Sequence, residues 1–264
     1  MKVAIIGGGV MGEAMIAGAL RNGLAKPDEI AACDVLAARR EHLTSTYKIK
    51  AVDDAAAALE GAGIAVLAVK PQEFASAAQG LKLRGGQVVM SIMAGVRIET
   101  IRAALGHDAI VRAIPNTPAQ IGEGMTVWTA SDAVSEPDRE AVRSVLSVLG
   151  QELYVSDEKY VDMATAVSSS GPAYVFLIIE AFIDAAVHIG FRREAAERLV
   201  IQTVLGSARY AQSTGRHPAE LRNQVTSPGG TTAEGLLVLE EAGLRAAFTQ
   251  AVEAAYDKAK RLGG

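Results

Sequence analysis

The earliest chemical signal is Gly7-Gly8-Gly9-Val10-Met11-Gly12, a G-x-G-x-x-G run that directly follows the β-rich residues Val3 to Ile6 and opens a helix-forming stretch. In that setting each glycine has its own physical task. Gly7 permits a tight turn, Gly9 lets the backbone approach a pyrophosphate, and Gly12 lets helix pack closely on strand, with Val10 and Met11 completing a helix start that faces the anion. Glycine clusters also occur in plain turns; the strand before this one and the helix after it supply the required context. Such a site needs an acidic residue about 20 residues on, to hydrogen-bond an adenosine ribose. Asp34 ends the second β-rich run 22 residues after Gly12. A carboxylate there favours the free ribose diol of NAD, whereas Arg39 and Arg40, one turn into the next helix, would attract the 2′-phosphate of NADP unless they are a solvated surface pair. The cofactor is therefore NADH or NADPH, with the carboxylate favouring NADH.

Three further segments fall at strand ends, where ligands lie in a doubly wound sheet. Ala68-Val69-Lys70-Pro71 closes the run Ile64 to Val69; its backbone can line the cofactor, and Pro71 suits the first position of a helix. Lys70 is either a phosphate contact or a solvated charge. Ala94 and Gly95 lie in the loop after Val88 to Ile92, and Asn116 stands between Pro115 and Pro118 after Ala109 to Ile114. Asn116 is either a rigid turn residue or a hydrogen-bond partner for nicotinamide or ribose.

Much later, Thr226-Ser227-Pro228-Gly229-Gly230-Thr231-Thr232-Ala233-Glu234 combines hydroxyls, side-chain-free amides and a helix start, the ingredients of an anion site. Thr231 and Glu234 are also spaced as a capping box. A capped helix alone gives no reason for two consecutive glycines, whereas close approach by a small carboxylate does. Other chemistry lacks its parts. There is no G-x-S-x-G elbow, P-loop or H-E-x-x-H motif, and Cys33 is the single cysteine. His42, His107, His188 and His217 have no metal-ligand spacing, so no metal is expected. Hydride transfer, by contrast, needs mostly positioning, because the cofactor carries the reactive chemistry.

The elements that must hold these residues alternate. Strands are expected at Val3 to Ile6, Ile30 to Cys33, Ile64 to Val69, Val88 to Ile92 and Ala109 to Ile114, with helices at Met11 to Asn22, Ala37 to Thr46, Asp54 to Leu59, Phe74 to Gln79 and Ile98 to Leu105. Met125 to Thr129 and Glu152 to Val155 extend the sheet around a helix from Glu136 to Leu149. The pattern is an α/β fold with a Rossmann-type doubly wound parallel sheet over residues 1–155, followed by an all-α domain over residues 156–264. Ser168-Ser169-Ser170-Gly171-Pro172 reads as a turn cluster before a helix from Ala173 to Ile189. That helix has Glu180, Asp184 and His188 as its only strongly polar residues. A helix apolar nearly all round must be buried; a small helical domain can scarcely bury it alone, so a second copy of the chain is expected against it, the alternative being a central helix buried within one protomer.

Apolar residues form 50% of the chain and charged residues 21%, which excludes wholesale disorder. A net charge of −4 without a basic run excludes nucleic acid and anionic membrane as primary partners. No unbroken apolar stretch approaches the roughly 20 residues that cross a bilayer. Lys2 and the apolar run after it imitate a signal peptide, but Gly7 to Gly9 and Glu13 interrupt the run, so it is read as a retained, buried strand. With one cysteine, the chain is expected in a reducing, cytoplasmic compartment.

Five strings in order, Gly7-Gly8-Gly9-Val10-Met11-Gly12, Ala68-Val69-Lys70-Pro71, Arg112-Ala113-Ile114-Pro115-Asn116-Thr117-Pro118, Ser170-Gly171-Pro172-Ala173-Tyr174 and Ser227-Pro228-Gly229-Gly230-Thr231-Thr232, resemble the pyrroline-5-carboxylate reductases over essentially the whole chain. The first string is shared by many dehydrogenases; the last two together are specific to that family. The resemblance implies NAD(P)H-dependent reduction of 1-pyrroline-5-carboxylate to L-proline, a C-terminal helical domain that interlocks into a homodimer, and often an assembly of several dimers. It also implies that Ser227, Gly229, Gly230, Thr231 and Thr232 hold the substrate, with the Thr232 hydroxyl beside the ring nitrogen. The chain departs from the family's Gly-Ser-Gly-Pro at Ser169-Ser170-Gly171-Pro172. It departs again at Asp34-Val35, where many NADPH users carry Asn and a basic residue. A protonated imine needs no polarising lysine, and residues 160–200 contain none, which separates the chain from hydroxyacid dehydrogenases of similar architecture. A dinucleotide sensor without turnover is the reading from another class, and the Ser227 to Thr232 segment counts against it.

Overall fold

The computed structural model describes residues 2–262. Among them eight strands, β1 (Val3–Ile6), β2 (Ile30–Cys33), β3 (Lys50–Val52), β4 (Ile64–Leu67), β5 (Val88–Ser91), β6 (Ile110–Ile114), β7 (Gly124–Ala130) and β8 (Gly150–Tyr154), form one sheet in the order β3-β2-β1-β4-β5-β6-β7-β8. The helices of this region are α1 (Val10–Arg21), α2 (Ala37–Tyr47), α3 (Ala55–Leu59), α4 (Phe74–Gln79), α5 (Ile98–Leu105), α6 (Glu136–Ser147) and α7 (Lys159–Ala164). They are followed by α8 (Gly171–His188), α9 (Arg193–Thr214), α10 (Pro218–Gln224), α11 (Thr231–Glu241) and α12 (Leu244–Leu262).

Every residue of β1, β4, β5 and β6 is buried, because helices cover both faces of the sheet. Side chains alternate across it. Val3, Ile5, Ile64 and Val66 join Met15 and Ile16 of α1 on one face, and Ala4, Ile6, Ala65 and Leu67 join Leu59, Phe74 and Ile101 on the other. The chain first builds outward from β1 through β2 to β3, then returns to place β4 on the other side of β1. This reversal opens a crevice at the carboxyl ends of β1 and β4.

Two features were not read from the sequence, an extra parallel edge strand and one antiparallel pairing. β3 is an additional edge strand; three residues with Lys50 exposed are too few to show a periodic signal. β7 runs antiparallel to β6, and β8 then runs parallel to β7. The link between β6 and β7 holds one tight turn, Thr117–Ile121, which is too short for the crossover a parallel return requires.

The cluster 168–172 is not a break between helices. Thr165–Ser169 form a π-helical turn and Ser170 keeps right-handed helical angles, so the chain stays helical from α7 into α8. Pro172 brings no N–H to this run, and the carbonyl four residues before it, that of Ser168, accepts from Asn116 Nδ2 at 3.2 Å instead. By length and composition the run Lys159–His188 could cross a membrane. Asp162, Ser168 to Ser170 and Glu180 interrupt the run, so no unbroken apolar stretch shows its length.

The chain separates into two compact units, one holding the residues up to Ser170 together with those from Ala254 onward, the other Gly171–Glu253. α7 thus packs with the sheet rather than with the helices that follow. An ion cluster fastens it. Arg112, buried on β6, donates to Glu158 Oε1 at 2.9 Å and to Asp162 Oδ1 at 2.5 Å, and Glu158 Oε1 also accepts the Ile98 N–H at the head of α5.

The second unit has little core of its own. Its one buried cluster is Ile183, Ala186, Ala196 and Val200, between α8 and α9. Phe176 is 58% exposed and Leu177 64%, on a helix with hardly a charge to solvate them. Such a surface is stable in water only when another covers it. Light scattering is expected to return a dimer, and Phe176→Glu combined with Leu177→Glu to weaken association by about 2 kcal/mol per side chain. A folded monomer of the unmodified chain would contradict this.

Candidate active site

The crevice begins where β1 ends. Gly7 has φ +104°, and a Cβ there would stand 2.6 Å from the Ala68 carbonyl oxygen, because the two strand ends are drawn together by the Ala68 N–H on the Ile6 carbonyl at 2.8 Å. A Cβ on Gly12 would fall well inside contact distance of the Gly7 carbonyl oxygen and 3.1 Å from Ile5 Cγ2, so only glycine lets α1 start this close to β1. Gly9 differs from both. A Cβ there would meet no protein atom within 4 Å. Gly9 is the N-cap of α1 without a side-chain cap, and the first helical bond is Glu13 N–H to Gly9 C=O at 2.8 Å. The amides of Val10, Met11 and Gly12 therefore carry no helical partner and open towards the exposed Gly9.

The middle glycine, which the motif leaves without a task, is the most tightly held. Gly8 N–H donates to Asp34 Oδ2 at 2.8 Å, and its carbonyl accepts from Arg39 through Nε at 2.8 Å and also through Nη2. Asp34 Oδ1 accepts the Leu36 N–H at 2.8 Å, so each carboxylate oxygen already holds one backbone amide. Arg39 Nη2 continues to Glu13 Oε2 at 2.6 Å, while Glu13 Oε1 meets His42 Nε2 at 2.7 Å and accepts from Tyr47 OH at 3.0 Å. Partial burial alone would raise the Glu13 carboxyl, but the hydrogen bonds from Arg39, His42 and Tyr47 outweigh it and hold the group at about 2. Arg40 donates to the carbonyls of Asp34 and Val35 and pairs with Asp53 at 3.6 Å. Neither arginine is the solvated surface charge that a helical Arg-Arg pair ordinarily is. Cys33, beside them, is buried, and burial followed by the nearby carboxylates of Asp34, Asp54 and Asp53 pushes its thiol up, away from nucleophilic use.

The other strand-end residues follow around the sheet edge. Lys70 is exposed and precedes a single 3-10 turn begun by Pro71, with Ala68 and Val69 half-buried beneath it. Ala94 packs against Ile114, Val127 and Val161, and Gly95 is buried beside it with φ +76°. Asn116 is turned into the protein: Oδ1 accepts the Met125 N–H at 2.9 Å, and Nδ2 donates to the Ser168 carbonyl at 3.2 Å in the π turn. Both ends of its amide thus have protein partners.

The Ser227 to Thr232 segment belongs to the second unit. Gly230, not Thr231, is the N-cap of α11 and has no side-chain cap, so Thr231 and Glu234 do not form a capping box. The helix starts one residue earlier than the box requires. Gly229 has φ +67°, and a Cβ on Gly230 would collide with Ser227 Oγ, so the turn itself explains both glycines. The Gly230 N–H donates to the Ser227 carbonyl at 3.1 Å and the Ala233 N–H to the Gly230 carbonyl at 3.0 Å, which leaves the Thr231 and Thr232 amides without helical partners; Ser227, Gly229 and Thr231 are exposed while Thr232 is half-buried. Glu13, Arg39, His42 and Tyr47 were not foreseen as a group; an acidic residue just after the fingerprint and an arginine just after Asp34 were its only traces.

Comparison with known proteins shows the family. A family model described as pyrroline-5-carboxylate reductase dimerisation matches residues 158–262, which include the apolar run 159–188, and one described as coenzyme F420-dependent NADP oxidoreductase matches residues 2–95. The chain is 42% identical to a pyrroline-5-carboxylate reductase of Synechocystis sp., over 100% of this chain and 98% of that one. It resembles the solved reductase of Coxiella burnetii, with a TM-score of 0.93 and 35% identity, covering 100% of this chain and 98% of that one. It also resembles the pyrroline carboxylate reductase of Plasmodium falciparum with NADP bound, with a TM-score of 0.91 and 30% identity, over 100% of this chain and 98% of that one.

Two measurements follow from the geometry. Gly9→Val is expected to keep the unfolding temperature and lose dinucleotide affinity, since its side chain meets solvent space rather than protein, whereas Gly12→Val is expected to lose stability itself through overlap with Gly7. Calorimetry with and without dinucleotide separates the two. Glu13 adds a pH signature. Held at about 2 against an ordinary value of 4.5, it contributes stability that is complete above 4.5 and is lost as the pH falls through about 2. Urea titrations across that window should show a smaller acid-induced loss in Glu13→Gln than in the unmodified protein.

Proposed function

The chain belongs to the pyrroline-5-carboxylate reductase family, and on that premise we propose how its own residues serve the reaction. It is an NAD(P)H-dependent oxidoreductase acting on a carbon–nitrogen bond, and it reduces 1-pyrroline-5-carboxylate to L-proline, the last step of proline biosynthesis. It acts as a homodimer formed through the C-terminal dimerisation region. The reduced nicotinamide, when bound, supplies the hydride that the imine carbon accepts.

The cofactor is assigned to the crevice at β1 and β4. The observation that carries this is the open face at Gly9, where the unpartnered amides of Val10, Met11 and Gly12 offer donors to a pyrophosphate. Gly7 and Gly12 keep that face low, Asp34 lies at the ribose end, and Ala68 to Pro71 with Ala94 and Gly95 line the course of the dinucleotide. Asn116 belongs with these residues through its loop. Its amide is committed to Met125 and Ser168, so its contribution is to shape the wall. The functional division is placed at 155/156, with residues 1–155 serving the dinucleotide and 156–264 the substrate and the dimer.

For the substrate, the exposed turn Ser227 to Thr231 at the head of α11 offers the amides of Gly229 and Thr231 to the carboxylate, while Gly230, whose N–H donates to the Ser227 carbonyl at 3.1 Å, holds the turn in shape for them. They are donors without a flexible side chain to order. The Thr232 hydroxyl serves the ring nitrogen, where a proton must be held as the amine forms. The single buried thiol supports a reducing, cytoplasmic setting.

Steady-state assays of pyrroline-5-carboxylate with NADH and NADPH in parallel test this reading. Thr232→Ala is expected to lower kcat/KM for the imine by about 10²-fold, with dinucleotide affinity nearly unchanged. Gly230→Val is expected to raise the imine KM. Wild-type kinetics in both variants, or proline bound elsewhere in a crystal, would remove the assignment.

A further inference from the structure

Arg39 stands where an arginine ordinarily receives a 2′-phosphate, just after the ribose carboxylate, yet its donors are directed inward. Nε and Nη2 close on the carbonyl of Gly8, and Nη2 also reaches Glu13 Oε2 at 2.6 Å. On the other side of the same residue, Asp34 Oδ2 takes the Gly8 N–H at 2.8 Å. A carboxylate and a guanidinium thus grip the two polar backbone atoms of the residue immediately before Gly9. Leu43, buried on α2, closes the remaining direction, since a Cβ on Gly8 would stand 2.7 Å from its Cδ1.

We propose that Arg39 is a positioning residue for dinucleotide binding: backed by Glu13 and opposed by Asp34, it clamps Gly8 so that the Gly9 turn and the amides after it are set towards the pyrophosphate before the cofactor arrives. Preorganised backbone donors bind more tightly than mobile ones because the ordering cost has already been met in folding. The same geometry removes Arg39 from phosphate recognition. A 2′-phosphate could recruit it only by breaking a charge-assisted pair with Glu13, which His42 and Tyr47 also hold, and by releasing the Gly8 carbonyl. Arg40 offers no substitute, being engaged with the Asp34 and Val35 carbonyls and with Asp53. Asp34 remains as a negative charge at the ribose end, and it opposes a 2′-phosphate.

The inference rests on the assignment of the Gly9 face to the dinucleotide, and the experiment separates the two. Dissociation constants for NADH and NADPH are measured by calorimetry on the full-length protein and on Arg39→Gln, Arg39→Lys and Gly9→Val, with fluorescence of the buried Trp128 reporting folding. Both Arg39 variants are expected to weaken NADH and NADPH alike by about tenfold, because lysine keeps the charge but cannot present the fork. The KM for the imine should stay within about twofold, which a general loosening of the protein would not allow. Loss of NADPH affinity alone in Arg39→Gln would make Arg39 the phosphate receptor and overturn the clamp. So would full affinity in Arg39→Lys, which stays informative if the glutamine variant does not fold. Unchanged affinity in Gly9→Val would remove the site assignment and the clamp together, whereas loss in Gly9→Val with none in Arg39→Gln would overturn the clamp alone.

Discussion

The dinucleotide crevice depends on how closely two pieces of backbone approach at the ends of β1 and β4. The Ala68 N–H bonds to the Ile6 carbonyl, leaving no room for a side chain on Gly7, and α1 then starts so near that Gly12 has no room for one either. That crowding brings the first amides of a helix to the floor of the crevice, where a Cβ on Gly9 would meet no protein atom within 4 Å. Parallel strands buried on both faces make the approach possible, because helices on each side hold the sheet while its carboxyl edge stays open. The arrangement is one of packing, with electrostatics added to it.

Charged groups then fasten loops that packing leaves free. Around Gly8 the sequence of contacts is carboxylate, peptide, guanidinium, carboxylate, linking the end of β2, the fingerprint turn, α2 and α1. Around β6 a second set runs from Arg112 to Glu158 and Asp162, binding α7 to the sheet and closing the head of α5. Buried ion pairs are weak contributors to net stability but are costly to break singly, which makes them suited to fixing the place of a segment. Asn116 does the same without charge, joining the loop after β6 to the π turn at Ser168.

The helical unit follows the opposite principle. Its buried cluster is small, its longest helices carry exposed aromatic and aliphatic side chains, and its polar residues do not cover them. Dimerisation is therefore part of how this unit satisfies the hydrophobic effect, and an assembly built this way couples the integrity of the second unit to protomer association.

The sequence by itself determined the elements whose signal is local. Four-residue buried strands separated by amphipathic helices, glycines at the strand-to-helix turn, an acidic residue at the next strand end and a nearly uncharged helix after residue 170 were all legible, because period, turn chemistry and burial are encoded within short windows. Only the tertiary structure decided the rest. β3 is too short to show a period, and β7 reverses because of the length of a loop rather than its own composition. Residues 168–172 look like a turn by composition but continue a helix, since Ser170 and Pro172 occupy positions that tolerate them. Arg39 bonds Gly8 and Glu13, 31 and 26 residues away, and Asn116 bonds Ser168, 52 residues away, so no local pattern could assign these partners. Side chains that can bind a ligand can equally bind backbone, and which one they bind is set by what the fold brings within hydrogen-bonding distance.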